Sequence, residues 1–176
     1  NVFNGVTSVQ LILKDVHSDA LKEEEAPKQK VFDHRKKTDI LAQADDYIKN
    51  SKLNISAFAE DSRILENLKP FGNIAASVVT RNSLHKSDVL MFFDYPADDD
   101  VMQEVLRTTS PDALHYMNYT VSKPDEESII KMFSGMIKYT CNNLNGDFSL
   151  SRAACKLAVS DAVIESLLEI FEDVGM

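Results

Sequence analysis

Tryptophan is absent from this chain, and its 176 residues include only two cysteines and five glycines. Cys141 and Cys155 are too few and too far apart in sequence to form a disulfide framework, which points to a reducing, cytoplasmic setting. Long apolar runs are missing as well. The longest, at 9–13 and 89–93, fall far short of the roughly 20 residues that cross a bilayer, so no membrane span is expected. The N-terminus lacks the basic, apolar and small-residue succession of a signal peptide. The chain starts at Asn1 and stops at "EDVGM" directly after a helical pattern, which reads as a fragment of a longer protein. There is no Gly-x-x-x-x-Gly-Lys-Ser/Thr loop to cradle a phosphate, and no Gly-x-Ser-x-Gly turn to present a serine nucleophile.

Basic charge is scarce in one half only. Residues 88–176 hold 6 Lys or Arg against 16 Asp or Glu, a balance of −10, whereas residues 1–87 hold 13 against 12. Affinity for nucleic acid rests largely on Lys and Arg displacing counterions, so any contact with DNA belongs to the first half. What is present suits one globular core with small attachments: 44% of residues are hydrophobic and 27% are charged, which separates the chain from disordered sequences.

Residues 9–15, "VQLILKD", read as a strand with one buried face, and nothing before them offers a partner. A polar stretch at 17–30, containing Pro27, reads as a linker. Apolar runs then alternate with helical patterns. Val31-Phe32, 54–58, 75–80, 89–93 and 113–121 read as strands, and the continuously apolar 89–93 suits a strand covered on both faces. Between them lie a helix capped by Thr38 and bearing Ile40, Leu41, Ala44, Tyr47 and Ile48, a short one capped by Ser62, and one opened by Asp98, Asp99 and Asp100. From Asp125 only helical patterns remain, the last two separated by Val159-Ser160. The expected fold is therefore α/β: a mainly parallel sheet sandwiched by helices over 31–124, followed by a helical, winged-helix-like subdomain over 125–176.

Three phrases in order, "SVQLILKDV" at 8–16, "VFDHR" at 31–35 and "DVLMFFDYP" at 88–96, with "LLEIFEDVG" at 167–175, resemble the C-terminal region of RecJ-type single-strand-specific DNA exonucleases. The resemblance implies that residues 1–16 are the tail end of an oligonucleotide-binding-like domain and that the remainder is a C-terminal extension. It also implies a parent enzyme that cuts single-stranded DNA 5′-to-3′ in repair and recombination. In that family an upstream core with an Asp-His-His motif holds divalent metal, Mg or Mn. Here "VFDHRK" has Arg35 where the second His would stand, so no metal site carries over, and no cofactor is expected in this chain.

Two readings compete at each candidate site. Asp33, His34 and Arg35 can be a metal and phosphate site, or a strand end where Asp33 accepts backbone donors and Arg35 pairs with an acid. Neighbouring side chains on a strand point to opposite faces, which favours the second. Asp94, Asp98, Asp99 and Asp100 can hold magnesium at a strand's C-terminal end, or serve the positive end of a helix. His17, His85 and His115 have no His or Cys at ligand spacing, and both cysteines fall on apolar faces, as small core residues do. For contact with nucleic acid the candidates are Gln10, Lys14, Arg35, Lys36 and Lys37, with Phe3 nearby; the last helix has five acids and no Lys or Arg, which disfavours phosphate. The expected function is a non-catalytic accessory module of a RecJ-like exonuclease that binds a repair-machinery protein or braces the core around single-stranded DNA. The alternatives are a small Mg-dependent phosphoesterase built on Asp33 and Asp94, and a stand-alone nucleic-acid-binding domain.

Overall fold

The computed structural model describes the backbone of residues 2–3 and 6–7 and, in full, residues 29–117, 126–144 and 146–174. Val2–Phe3 (β1) and Val6–Thr7 (β2) form an antiparallel pair with Val2 opposite Thr7 and Phe3 opposite Val6. Asn4-Gly5 stands between the two strands in the sequence, and that dipeptide is the strongest short hairpin signal. The expected strand at 9–15 and most of the linker at 17–30 lie outside the described residues.

The main sheet has five parallel strands in the order β3-β7-β6-β4-β5, formed by Lys30–Asp33 (β3), Ile55–Phe58 (β4), Val78–Val79 (β5), Val89–Phe92 (β6) and Ala113–Tyr116 (β7). All residues of β4 and β6 are buried, because helices cover both faces. Alternation divides their side chains between two cores. Ile55, Ala57, Val89 and Met91 pack with Ala44, Ile64, Leu68 and Ile74 from the helices Ile40–Asn50 (α1), Ser62–Leu68 (α2) and Gly72–Ala76 (α3). Phe58, Leu90, Phe92 and Leu114 pack on the other side with Val101 and Val105 from Asp99–Thr109 (α4). The parallel three-layer sandwich is thus present. Its edge strand β3 is exposed along its whole length.

Local capping differs from expectation in instructive ways. The cap of α1 is Asp39 in the left-handed region, with no side-chain cap bond, in place of Thr38; Asp61, not Ser62, caps α2 by accepting from the Arg63 N–H at 2.8 Å. Residues 75–76, expected in a strand, belong to α3. The Asp45 carboxylate on α1 accepts from the N–H groups of Asn73 and Ile74 at 2.9 and 3.0 Å, so a distant residue satisfies the first turn of that helix. Only Val78 and Val79 remain as strand. For the fifth expected strand, residues 118–121 lie outside the described residues. Asp98 caps α4 by accepting from the Val101 N–H at 2.8 Å, with Asp99 and Asp100 in its first turn.

The last three helices, Glu126–Asn143 (α5), Leu150–Leu157 (α6) and Asp161–Asp173 (α7), carry a separate core of Phe133, Ala153, Ala154, Leu157, Ile164, Leu167 and Phe171. Phe133 is fully buried and meets Phe148 and Phe171 edge-on, at 5.9 and 5.2 Å between centroids. A three-residue turn joins α6 to α7, opened by Ala158 in the left-handed region. Among the described residues 126–174 there is no strand. Cys155 is buried as expected. Cys141 is exposed, a correction that follows from the helix turn: the covered face of α5 runs through Phe133 and Thr140, and the next residue points away from it.

Candidate functional site

In parallel α/β sheets ligands collect outside the carboxyl ends of strands, where neighbouring strands send their connections to opposite faces. Here β4 continues into α2 on one face and its neighbour β6 continues into α4 on the other, so that point falls between residues 59–61 and 93–95. The crevice is closed by the chain's own groups. Asp94 Oδ2 accepts from the Asp61 N–H at 2.9 Å and from the Glu60 N–H at 3.3 Å. Burial pushes the Asp94 carboxyl above its ordinary value, partly offset by these two donors. Asp61 is committed in turn to its helix cap and to the Arg63 guanidinium, which holds its carboxyl low.

Beside it lies a buried ion pair. Glu60 accepts from Arg81 Nε at 2.9 Å and from Arg81 Nη2 at 2.6 Å, and the two side chains retain 2% and 5% of their exposure. Glu60 also takes the Arg81 backbone N–H at 2.8 Å, fixing the loop after β5. Arg81 Nη1 reaches Asp161 on α7 at 3.6 Å, and Ser151 on α6 donates to Asn82 at 3.3 Å. The helical unit therefore seats itself against the carboxyl edge of the sheet. Sequence reasoning passed over Glu60, Asp61, Arg63 and Arg81; the signal available was "AEDSR", four polar residues in succession directly after a buried strand.

Asp33 and Asp94 are not brought together. Strand β7 stands between the strands that carry them, which puts two strand spacings, roughly 9 to 10 Å, between their backbones. Asp33 accepts from Arg35 Nε at 2.9 Å, from Arg35 Nη2 at 2.7 Å and from its backbone N–H at 2.9 Å, and the guanidinium holds the carboxyl far below the ordinary range. Asp33 and His34 face opposite sides: His34 Nε2 lies 3.1 Å from His115 Nδ1, where one ring donates and the other accepts. Burial is the main cause that lowers both imidazoles, with Lys37 adding to it, and His115 falls to about 4. Among the described residues no three His, Cys, Asp or Glu side chains come together in a way that holds a metal ion. Asp98, Asp99 and Asp100 stay at the start of α4.

Of the residues expected to meet nucleic acid, Gln10 and Lys14 lie outside the described residues. Arg35, Lys36 and Lys37 are exposed in the turn after β3, which the Lys37 N–H closes by donating to the His34 carbonyl at 3.0 Å. The Arg35 guanidinium also sits 6.0 Å from the Tyr116 ring centroid. Around this turn gather rings that sequence reasoning did not connect, Phe32, Tyr47, His115 and Tyr95, drawn from four separate elements and loops. No helix of the described residues is long and apolar enough to cross a membrane. No protein-family model, curated protein or solved structure matches the chain.

Proposed function

We propose that this chain is a non-catalytic accessory module of a RecJ-like single-strand-specific 5′-to-3′ exonuclease, working in the cytoplasm in DNA repair and recombination. It binds a partner protein of that machinery or braces the nuclease core, whose Mg or Mn ions belong to the core. The observation that carries the non-catalytic part is the filled carboxyl edge of the sheet. Asp94 accepts from the backbone N–H groups of Glu60 and Asp61, Glu60 is paired with Arg81, and α6 and α7 are tied to the loop in front of them. The identity of the parent rests on the phrases at 8–16, 31–35, 88–96 and 167–175. A phosphoesterase built on Asp33 and Asp94 is disfavoured by the strand between them and by the partners each already has.

The winged-helix-like reading of 125–176 belongs to this proposal. The three-residue turn between α6 and α7 supports it, while the absence of Lys and Arg from α7 turns that helix toward a basic protein in preference to phosphate. The test is hydrolysis of 5′-labelled single-stranded DNA and of a chromogenic phosphoester by the purified chain in Mg or Mn. No cleavage above the blank is expected, while addition of the chain to a RecJ-type core lacking this region changes that core's rate. Metal-dependent cleavage abolished by Asp94→Asn would sink the proposal.

A further inference from the structure

Between α5 and α6 runs an open groove of about 610 Å³, lined by Met132, Met136, Tyr139 and Leu144 from α5 and its end and by Arg152 and Lys156 from α6. Met132, Tyr139 and Leu144 keep 43, 60 and 48% of their exposure, so apolar surface lies bare there. Arg152 and Lys156 stand one turn apart, and every Lys and Arg of residues 126–174 is on α5 or α6; Asp147 also lines the groove. The groove side of this unit is basic. Gly135 lies in the same wall, in the interior of α5, where glycine costs stability. A Cβ at Gly135 would meet no described neighbour within 4 Å, so the chain's own described packing does not require a glycine. What a missing side chain allows is close approach by another backbone. The counterpart is on α7. Val163, Ile170 and Val174 recur at steps of seven and four, which sets them in one stripe along that helix and its C-cap, 40, 55 and 62% exposed. On the flank of the stripe Glu169 and Asp173 stand exposed one turn apart, the spacing of Arg152 and Lys156.

We propose that the α5–α6 groove receives α7 of a second copy of this chain, with Val163, Ile170 and Val174 lying along Gly135 and the methionines, and Glu169 and Asp173 meeting Arg152 and Lys156. An amphipathic helix laid in an apolar groove is a recurring mode of recognition, and the flexible thioethers of Met132 and Met136 let the groove adapt to aliphatic anchors. The lengths agree. At the helical rise Val163 to Val174 spans about 16 Å and Met132 to Leu144 about 18 Å. A copy does not fill its own groove with this stripe, because the inner face of α7, through Ile164, Leu167 and Phe171, is already packed in the core with Phe133. The stripe therefore faces outward. The contact is heterologous, groove to helix, and each copy offers both halves. One helix in one groove buries less than a standard interface, so the association is weak and depends on concentration. The inference goes beyond the accessory-module reading and does not rest on it.

The test is sedimentation equilibrium of the whole chain from about 10 μM to about 1 mM, the range that brackets weak association. The weight-average mass should climb above that of the monomer as concentration rises. Ile170→Ser and Gly135→Leu should each weaken association about tenfold or more, the second with a melting temperature no lower than the parent's, because it replaces a helix glycine where space is open. Charge reversal is the sharper arm. Arg152→Glu with Lys156→Glu makes the groove acidic like α7, and Glu169→Lys with Asp173→Lys makes α7 basic like the groove. Each reversed chain alone should stay monomeric, and an equal mixture of the two should associate again. The reversed positions are exposed, and Arg152→Glu completes a Ser-x-x-Glu capping box with Ser149, so the fold is kept; circular dichroism checks it. A parent mass fixed at the monomer over the whole range, or a mixture of the two folded reversed chains that stays monomeric, overturns the proposal. Hydrolysis is read separately, so either proposal can fail while the other stands.

Discussion

His115 holds a position that composition does not announce. It sits half-buried on β7 between Phe32, Tyr47 and His34, and desolvation, followed by the fields of His34 and Lys37, lowers its pKa from the ordinary 6.5 to about 4. Between those two values the unfolded chain binds more protons than the folded one, so stability rises with pH and is lost as pH falls from about 6.5 to about 4. Asp94 acts in the opposite sense: its carboxyl is raised, and the folded chain gains that proton as pH falls. Melting temperatures across this range should fall toward acid in the parent chain, and the fall should be shallower in His115→Phe, which removes the titrating group and keeps a ring in the stack. Identical pH profiles for the two proteins would refute the assignment. At this scale the sequence was partly legible. The opposite facing of Asp33 and His34 follows from strand alternation, whereas the meeting of His34 with His115, 81 residues away, does not.

Elements were more legible than residues, and their ends least of all. The apolar run at 89–93 announced a central strand, and the acids at 98–100 announced a helix start, because both signals are local. The strand expected at 75–80 is shortened to Val78–Val79, because residues 75–76 close a helix whose first turn is capped by Asp45, a residue on another helix. Asp45 also accepts from Asn73 Nδ2 at 2.8 Å, so its removal leaves three donors without their partner. Asp45→Ala should destabilise the fold by about 1 to 2 kcal/mol. Thr38→Ala, at the cap that local pattern favours, should stay within about 0.5 kcal/mol. Urea midpoints of the two variants decide between the tertiary cap and the local one, and equal losses would count against the tertiary account.

At the scale of the whole molecule, one buried pair links the carboxyl edge of the sheet to the helical unit. Glu60 and Arg81 are almost fully desolvated, and removing one partner leaves the other charge buried. Glu60→Ala should cost about 3 to 5 kcal/mol in denaturant unfolding, while the pair Glu60→Leu with Arg81→Met should recover most of that loss. Asp161, 54% exposed at the outer end of the same chain of charges, should cost under about 1 kcal/mol when changed to Ala. A double variant no more stable than Glu60→Ala would contradict this account of the edge. The sequence by itself determined the α/β class, the acidic second half, the helices after residue 125 and the two-faced burial of the central strands, because period, charge and capping are written over a few neighbouring residues. Only the tertiary structure decided the strand order, the cap of α3, the ring surface on β3 and the closing of the carboxyl edge. Each of these joins residues about 20 or more positions apart, whose meeting depends on the sheet having first brought their elements together.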